Sequence, residues 1–309
     1  MTKLLFAGSA DEWDDYREAL PSALKAAGVD AKILTECDPV EVDYMVYSPA
    51  GGISDFAPYT RLKAVFSLWA GVEKIVGNTS LQVPLCRMVD AGLTEGMVKW
   101  CLGHVMRHHL GMDRDIRRTN TDWEPAFPPL ARGRQVVILG MGALGQAVAE
   151  TLRDLRFQVT GWSRSLKAVE GVRCLSGNEG LRQAMERAEI LVLLLPMTPA
   201  TENLLDAAAF NLLPDGAMLI NPGRGPLIDD DALLSALDSG KAAHATLDVF
   251  RVEPLPKDHP FWAHPKVTVT PHIASVTRPE TAAQVVVENL RRAMAGEELL
   301  HLVDRESGY

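Results

Sequence analysis

Between Gln135 and Gln146 the chain reads Q-V-V-I-L-G-M-G-A-L-G-Q, an apolar, β-branched run that breaks into Gly140-x-Gly142-x-x-Gly145. The run suits a parallel strand covered on both faces, and the glycines then demand a turn too tight for side chains. A side chain at Gly140 would obstruct the turn. At Gly142 it would keep the backbone away from a pyrophosphate, and at Gly145 it would hold the next helix off the strand. The helix-like A-V-A-E-T-L-R-D-L follows at once, so the N–H groups of its start, with Ala143 and Leu144 inside the turn, would face a ligand's negative charge. Glycines at this spacing are common alone; the preceding strand and following helix make a dinucleotide site the better reading than an empty turn.

The 309 residues are 47% hydrophobic and 23% charged, enough for two ordinary domains with real cores. The formal net charge of -9, from 40 acidic and 31 basic residues, argues against a general nucleic-acid binder. Cys37, Cys86, Cys101 and Cys174 are scattered without C-x-x-C spacing and read as small buried hydrophobes in a reducing compartment. The opening M-T-K-L-L-F-A-G-S-A-D-E-W-D-D has too short an apolar run for a signal peptide. No stretch reaches the ~18 apolar residues of a membrane span. A cytoplasmic protein with no membrane or nucleic-acid partner is expected.

Strands are expected at Lys3–Ala7, Ala31–Leu34, Tyr44–Tyr47 and Leu62–Trp69, with a helix over Trp13–Ala27 stopped by Gly28. The connections suit helical crossovers, which makes this a small α/β unit. Gly92 to Thr119 lacks proline and spaces Met97, Trp100, Cys101, Val105 and Leu110 as a helix does, predicting one long helix or two abutting ones. Asn120–Leu130, with Trp123 and three prolines, reads as a loop. Six further strands follow, at 135–139, 158–162, 190–195, 217–221, 243–248 and 267–270, and Pro279–Ala295 forms a last helix. That is a doubly wound, dinucleotide-binding parallel sheet beside a smaller unit, with a substrate expected in the cleft between them.

Arg224 in N-P-G-R-G, Glu253 in D-V-F-R-V-E-P and His272 in T-P-H-I-A-S each follow a strand on its carboxyl side, where open sheets bind ligands. A guanidinium grips a carboxylate and polarises a carbonyl. Histidine donates a proton near neutral pH, and glutamate beside it would fix the tautomer and favour the imidazolium. Taken singly, the arginine reads as a turn residue, the glutamate as surface and the histidine as structural. Their joint placement is what singles them out.

These motifs, with L-L-L-P-M-T-P-A-T, L-P-D-G-A-M-L-I-N-P-G-R-G and P-F-W-A-H-P-K-V-T-V-T-P-H-I-A-S, closely resemble the D-isomer-specific 2-hydroxyacid dehydrogenase family over residues 44 to 280. L-W-A-G-V-E at 68–73 and G-W-S-R-S at 161–165 are most similar to its glyoxylate/hydroxypyruvate reductase A branch. The resemblance implies two Rossmann-like domains. One is a discontinuous, flavodoxin-like substrate domain of residues 1–98 and 276–309, the other a nucleotide domain of residues 99–275. It implies that Arg224 binds the substrate carboxylate and carbonyl, that Glu253 pairs with His272, and that His272 is the acid/base. Backbone at Trp69, Ala70 and Gly71 would meet the substrate carboxylate. Leu195, Pro196, Pro222 and Asp248 would join the glycine turn in holding the cofactor.

Two departures matter. Pro222-Gly223 stands before Arg224 where the family has alanine or serine next to the arginine, so a differently shaped loop is expected. The acidic residue that binds ribose hydroxyls in NAD-preferring sites is missing; Ser163, Arg164, Ser165 and Lys167 occupy that region and suit a 2'-phosphate. NADPH is therefore favoured, with NADH the lesser alternative. The expected reaction is reduction of small 2-oxo acids, glyoxylate and hydroxypyruvate first, with Trp69 limiting the pocket. The alternatives are a broader D-2-hydroxyacid or phosphoglycerate-type dehydrogenase and a non-enzymatic dinucleotide sensor or corepressor. A homodimer is expected from the resemblance, with Thr94–Lys99 and Trp123 as candidate contacts. His104, His108 and His109 lack an H-E-x-x-H pattern and read as surface or packing residues, so no metal is expected.

Overall fold

The computed structural model describes residues 1–308. The chain forms two compact units, one of Met1–Leu93 with the segment from Val276 onward, the other of Thr94–Ser275. The first opens with β1 (Thr2–Ala7), α1 (Ala10–Tyr16), α2 (Ala19–Ala27), β2 (Ala31–Leu34), β3 (Tyr44–Tyr47), β4 (Ala64–Ser67) and β5 (Leu85–Cys86). After α3 (Ala91–Leu110) and α4 (Met112–Ile116) come β6 (Gln135–Leu139), α5 (Ala143–Asp154), β7 (Gln158–Ser163), β8 (Arg173–Ser176), α6 (Gly177–Met185) and β9 (Ile190–Leu193). Then follow α7 (Ala207–Leu212), β10 (Ala217–Asn221), α8 (Asp230–Ser239), β11 (Ala242–Leu247), β12 (Val267–Val269) and α9 (Pro279–Ala295).

In the first unit five strands run in the order β2-β1-β3-β4-β5, every neighbour parallel. This is the flavodoxin-like order. Alternation along β1 divides the core: Leu4 and Phe6 pack with Leu20, Leu24, Val286 and Leu290 on one face, and Leu5 packs with Met45, Val65, Ile75 and Leu81 on the other. The helix expected over Trp13–Ala27 is two helices. Ser9 starts α1 with a capping box, its Oγ accepting from the Glu12 N–H at 3.2 Å while Glu12 accepts from the Ser9 N–H at 2.8 Å. Pro21, three residues into α2, cannot donate to the carbonyl of residue 17, and its ring would collide there in a continuous helix.

The second unit has seven parallel strands, one more than the sequence predicts, in the order β12-β11-β10-β9-β6-β7-β8. The extra strand, β8, lies at an edge and is only partly buried, so R-C-L-S carries no apolar run to announce it. Val137, Leu139, Leu191, Leu193 and Leu219 pack with Ala184, Phe210, Leu233 and Leu237 on one face; Val136, Ile138, Val192 and Ile220 pack with Cys101, Val105, Val148 and Leu152 on the other. The strand order reverses between β6 and β9. Ligands of open α/β sheets bind beyond the strand ends at that point.

Candidate active site

The turn after β6 is as confined as its glycines suggest. Gly140 has φ of 110°, its N–H donates to the Trp162 carbonyl at 2.8 Å, and an added Cβ would lie 2.4 Å from the Leu194 oxygen. A Cβ on Gly145 would lie 1.8 Å from the Gly140 oxygen, so α5 packs down on the turn itself. Gly142 differs: a Cβ there would meet nothing within 4 Å and would project into open space. Gly142 caps α5 with no side chain, which leaves the helix start, at Ala143, Leu144 and Gly145, open to an anion. Met141 turns inward instead, its sulfur 2.3 Å from where a Cβ of Gly161 would sit.

Across the switch point, Leu195 and Pro196 follow β9, with Leu195 buried and the Pro196 carbonyl accepting from Thr201 Oγ1 at 2.8 Å. At the end of β7, Ser163 Oγ donates to the Ser165 carbonyl at 2.8 Å, folding the loop back so that Arg164, Ser165 and Lys167 are exposed. A hydroxyl-bearing loop with two cations stands where a carboxylate would repel a phosphate.

At the end of β10, the fully buried Asn221 shapes the arginine turn. Its Oδ1 accepts from the Gly223 N–H at 3.1 Å and its Nδ2 donates to the Arg224 carbonyl at 2.9 Å. Pro222 is buried, and a Cβ on Gly223 would lie 2.8 Å from the Leu193 oxygen, so the glycine before Arg224 answers to space. The Arg224 guanidinium donates to the Gly223 carbonyl at 2.7 Å. Gly225 lies so close to the next loop that a Cβ would be 2.0 Å from the Phe250 carbonyl carbon.

Glu253 and His272 meet directly, Oε2 to Nδ1 at 2.7 Å, while Glu253 Oε1 accepts from the Phe250 N–H at 2.8 Å. With Nδ1 committed, Nε2 is the ring nitrogen left to exchange a proton. His272 sits at φ of 53°, the left-handed region, in a loop organised by Asp248. That wholly buried carboxylate accepts from Thr270 Oγ1 at 2.5 Å and from the N–H groups of Ile273 and Ala274 at 2.9 and 2.8 Å. The His272 N–H donates to the Asp248 carbonyl at 2.9 Å. Three of the carboxylate's roughly four acceptor sites are thus taken by this loop. Asn221 and this use of Asp248 escape the sequence reading, since a buried Asn or Asp inside an apolar strand end has no periodic signature.

In the first unit Trp69, Ala70 and Gly71 follow β4 on its carboxyl side. The Trp69 N–H donates to Ser67 Oγ at 3.1 Å and its carbonyl accepts from the Met88 N–H at 3.0 Å, while the indole is 39% exposed with Lys74 Nζ 5.4 Å from its ring centre. The α3 histidines serve packing. His108 and His109 are buried, and His109 sets its ring edge-on against Phe157.

Residues 100–274 match the family described as D-isomer specific 2-hydroxyacid dehydrogenase, NAD binding domain. The chain is 40% identical over 257 residues to a protein of Serratia proteamaculans named glyoxylate/hydroxypyruvate reductase A, covering 81% of this chain and 82% of that one. It is 39% identical over 281 residues to a protein of the same name from Yersinia enterocolitica, covering 88% and 89%. Among solved structures, a D-isomer specific 2-hydroxyacid dehydrogenase from Xanthobacter autotrophicus in complex with NADPH and MES superposes with a TM-score of 0.92 at 41% identity, over 100% of this chain and 99% of that one. An NADPH-dependent glyoxylate/hydroxypyruvate reductase from Sinorhizobium meliloti, in complex with NADP and sulfate, superposes with a TM-score of 0.85 at 33% identity and full coverage of both chains.

Proposed function

Since the chain belongs to the D-isomer specific 2-hydroxyacid dehydrogenase family, we propose that it reduces small 2-oxo acids, glyoxylate to glycolate and hydroxypyruvate to glycerate, with NADPH as hydride donor. The observation that carries this reading is the 2.7 Å Glu253–His272 pair, set in one strand-end constellation with the Arg224 turn. The two relatives named glyoxylate/hydroxypyruvate reductase A support the substrates, and the relatives solved with NADPH and NADP support the cofactor.

NADPH, held at the glycine turn, would supply a hydride to the 2-oxo carbon of the substrate. The protein's own groups do the rest. Gly140, Gly142 and Gly145 admit the pyrophosphate to the start of α5, and Ser163, Arg164, Ser165 and Lys167 hold the 2'-phosphate. Leu195, Pro196, Pro222 and Asp248 complete the cofactor's surroundings. Arg224 grips the substrate carboxylate and polarises the carbonyl; in the first unit the N–H groups of Ala70 and Gly71 are the ones offered to a carboxylate, since that of Trp69 is held by Ser67 Oγ. His272 gives its Nε2 proton to the 2-oxo oxygen, which becomes the hydroxyl of the product, and Glu253 holds the ring through Nδ1.

The enzyme works as a homodimer on this reading. The segment after α4 exposes Trp123 at 96% and Phe127 at 89%, more apolar ring surface than a monomer ordinarily leaves to water. The reducing cytoplasm suits its four free cysteines.

Steady-state reduction of glyoxylate, hydroxypyruvate, pyruvate and phosphohydroxypyruvate, with NADPH and NADH in parallel, tests the assignment. The first two should be turned over fastest and NADPH should give the higher kcat/KM. Equal use of both cofactors would refute the role of Ser163 to Lys167, and absence of turnover would refute the function.

A further inference from the structure

We propose that Arg251 is a positioning residue of this reaction, holding the Arg224 turn and the Glu253 carboxylate in one frame; the inference rests on the function proposed above. Arg251 stands two residues before Glu253 in the loop after β11. Its guanidinium donates to the Ile228 carbonyl at 2.6 Å and to the side-chain oxygen of Asn203. Glu202 and Asp230 flank it at 3.9 and 3.8 Å, and Asp230 is in turn 3.6 Å from His259 Nε2.

The two hydrogen-bonded partners, Ile228 and Asn203, belong to the arginine turn or brace it. The short helical turn Gly225–Leu227 begins immediately after Arg224, with the Leu227 N–H donating to the Arg224 carbonyl at 3.3 Å and the Ile228 N–H to the Gly225 carbonyl at 3.2 Å. Ile228 is therefore the far end of that turn. Asn203, held at φ of 50°, donates its N–H to the Pro226 carbonyl at 2.8 Å and so grips the same turn from outside.

The backbone of Arg251 acts on the other side. A Cβ on Gly225 would lie 2.5 Å from the Arg251 nitrogen and 2.0 Å from the Phe250 carbonyl carbon, so the two loops touch along their main chains. Phe250 is also the residue whose N–H holds Glu253 Oε1 at 2.8 Å, which aims Oε2 at His272. A planar guanidinium that spans two acceptors fixes direction as well as distance, which an ammonium does not. Releasing it frees the Phe250–Arg251 backbone, and both Glu253 and Arg224 drift.

An ordinary surface ion pair, by contrast, would leave turnover untouched. The test is a double-mutant cycle in the full-length protein with glyoxylate and NADPH, using Arg251→Ala, Glu253→Gln and the double variant. Arg251→Ala should lower kcat by about 10-fold and raise KM for the oxo acid, with NADPH affinity kept within about twofold. The double variant should lose less kcat than the product of the two single losses while keeping the raised KM, because part of the kcat effect passes through Glu253 and the rest through Arg224. An unchanged kcat in Arg251→Ala, or kcat losses that multiply, overturns the proposal. Should Arg251→Ala fail to fold, Arg251→Lys enters the same cycle, with a smaller loss and the same non-additivity expected. A wild-type protein without turnover refutes the proposed function instead, an outcome distinct from an active wild type whose variant losses multiply.

Discussion

His272 holds its backbone at φ of 53°, a conformation that costs a residue with a Cβ roughly 1–2 kcal/mol. Asp248 offsets that cost through its bonds to Thr270, Ile273 and Ala274 on both sides of the histidine. The imidazole is aimed at Glu253 by loop geometry set from beneath, and the pair itself stays half-exposed where a substrate can reach it. His272→Ala should lower kcat by about 100-fold or more and leave NADPH affinity nearly unchanged. His272→Asn is the control for the backbone, since asparagine tolerates this conformation better than alanine. Equally slow turnover in both variants, measured beside equilibrium NADPH titrations, assigns the loss to the missing imidazole. Undiminished turnover sinks the acid/base role.

At the scale of elements, α3 meets the second sheet through histidines. His108 Nε2 lies 3.1 Å from Thr246 Oγ1, its ring is 5.2 Å from that of His244, and His244 Nε2 lies 2.9 Å from Thr268 Oγ1. Burial, then the neighbouring His244 charge and Arg107, pushes His108 down to about 3. Burial also brings His244 down to about 4, Asp113 opposing it only in part. Both rings fold neutral, so between the ordinary value near 6.5 and these lowered values the unfolded chain binds more protons than the folded one. Stability from this contact is present above about pH 6.5 and drains away as the pH falls through that window. Thermal midpoints measured from pH 7 to 4 should fall more steeply for the wild type than for His108→Asn/His244→Asn. Parallel curves would show that the pair does not set acid sensitivity.

The same elements show what the sequence discloses. β6, β10 and α9 have the expected bounds, because near-continuous apolar runs and a Pro start with a Gly stop are local signals. β8 and the two-residue β5 were illegible: β8 is a half-wet edge strand and β5, though buried, is too short to show a pattern, so pairing to a neighbour rather than composition makes them strands. β9 ends at Leu193, before the apolar Leu194-Leu195, because the chain leaves the ladder there to pass the glycine turn. At the site, glycine spacing and strand-end position disclosed the turn and the charged groups. The supports did not show. Asn221, Asp248 and Arg251 act through bonds to backbone far along the chain, and nothing in a neighbouring residue reports such a bond.

For the molecule as a whole, the apolar arm after α4 is the feature an isolated chain explains least. Ile116 at the end of α4 and Trp123, Phe127 and Leu130 beyond it are 64% to 96% exposed within one short stretch. The homodimer proposed above would cover the arm with a second copy. Replacing Trp123 and Phe127 together by serine should shift the sedimenting species from dimer to monomer at micromolar concentration. A wild-type chain that sediments as a monomer, or a variant that stays dimeric, would remove this role for the arm.

The first unit is made from both ends of the chain. Its sheet presents Leu4, Phe6, Val46 and Phe66 to a layer that includes Ala282, Ala283, Val286, Val287 and Leu290 of α9, nearly two hundred residues after β5. A ribosome delivers these partners in order, so the part of this face that α9 covers stands open throughout synthesis of the second unit, with only α1 and α2 already packed beside it. The later-made unit, continuous in sequence, can close first, while the earlier-made one waits as sticky, half-built surface until the final helix emerges. In a cell the first 93 residues are the last to be finished, and the period of greatest aggregation hazard is set by translation of the nucleotide domain.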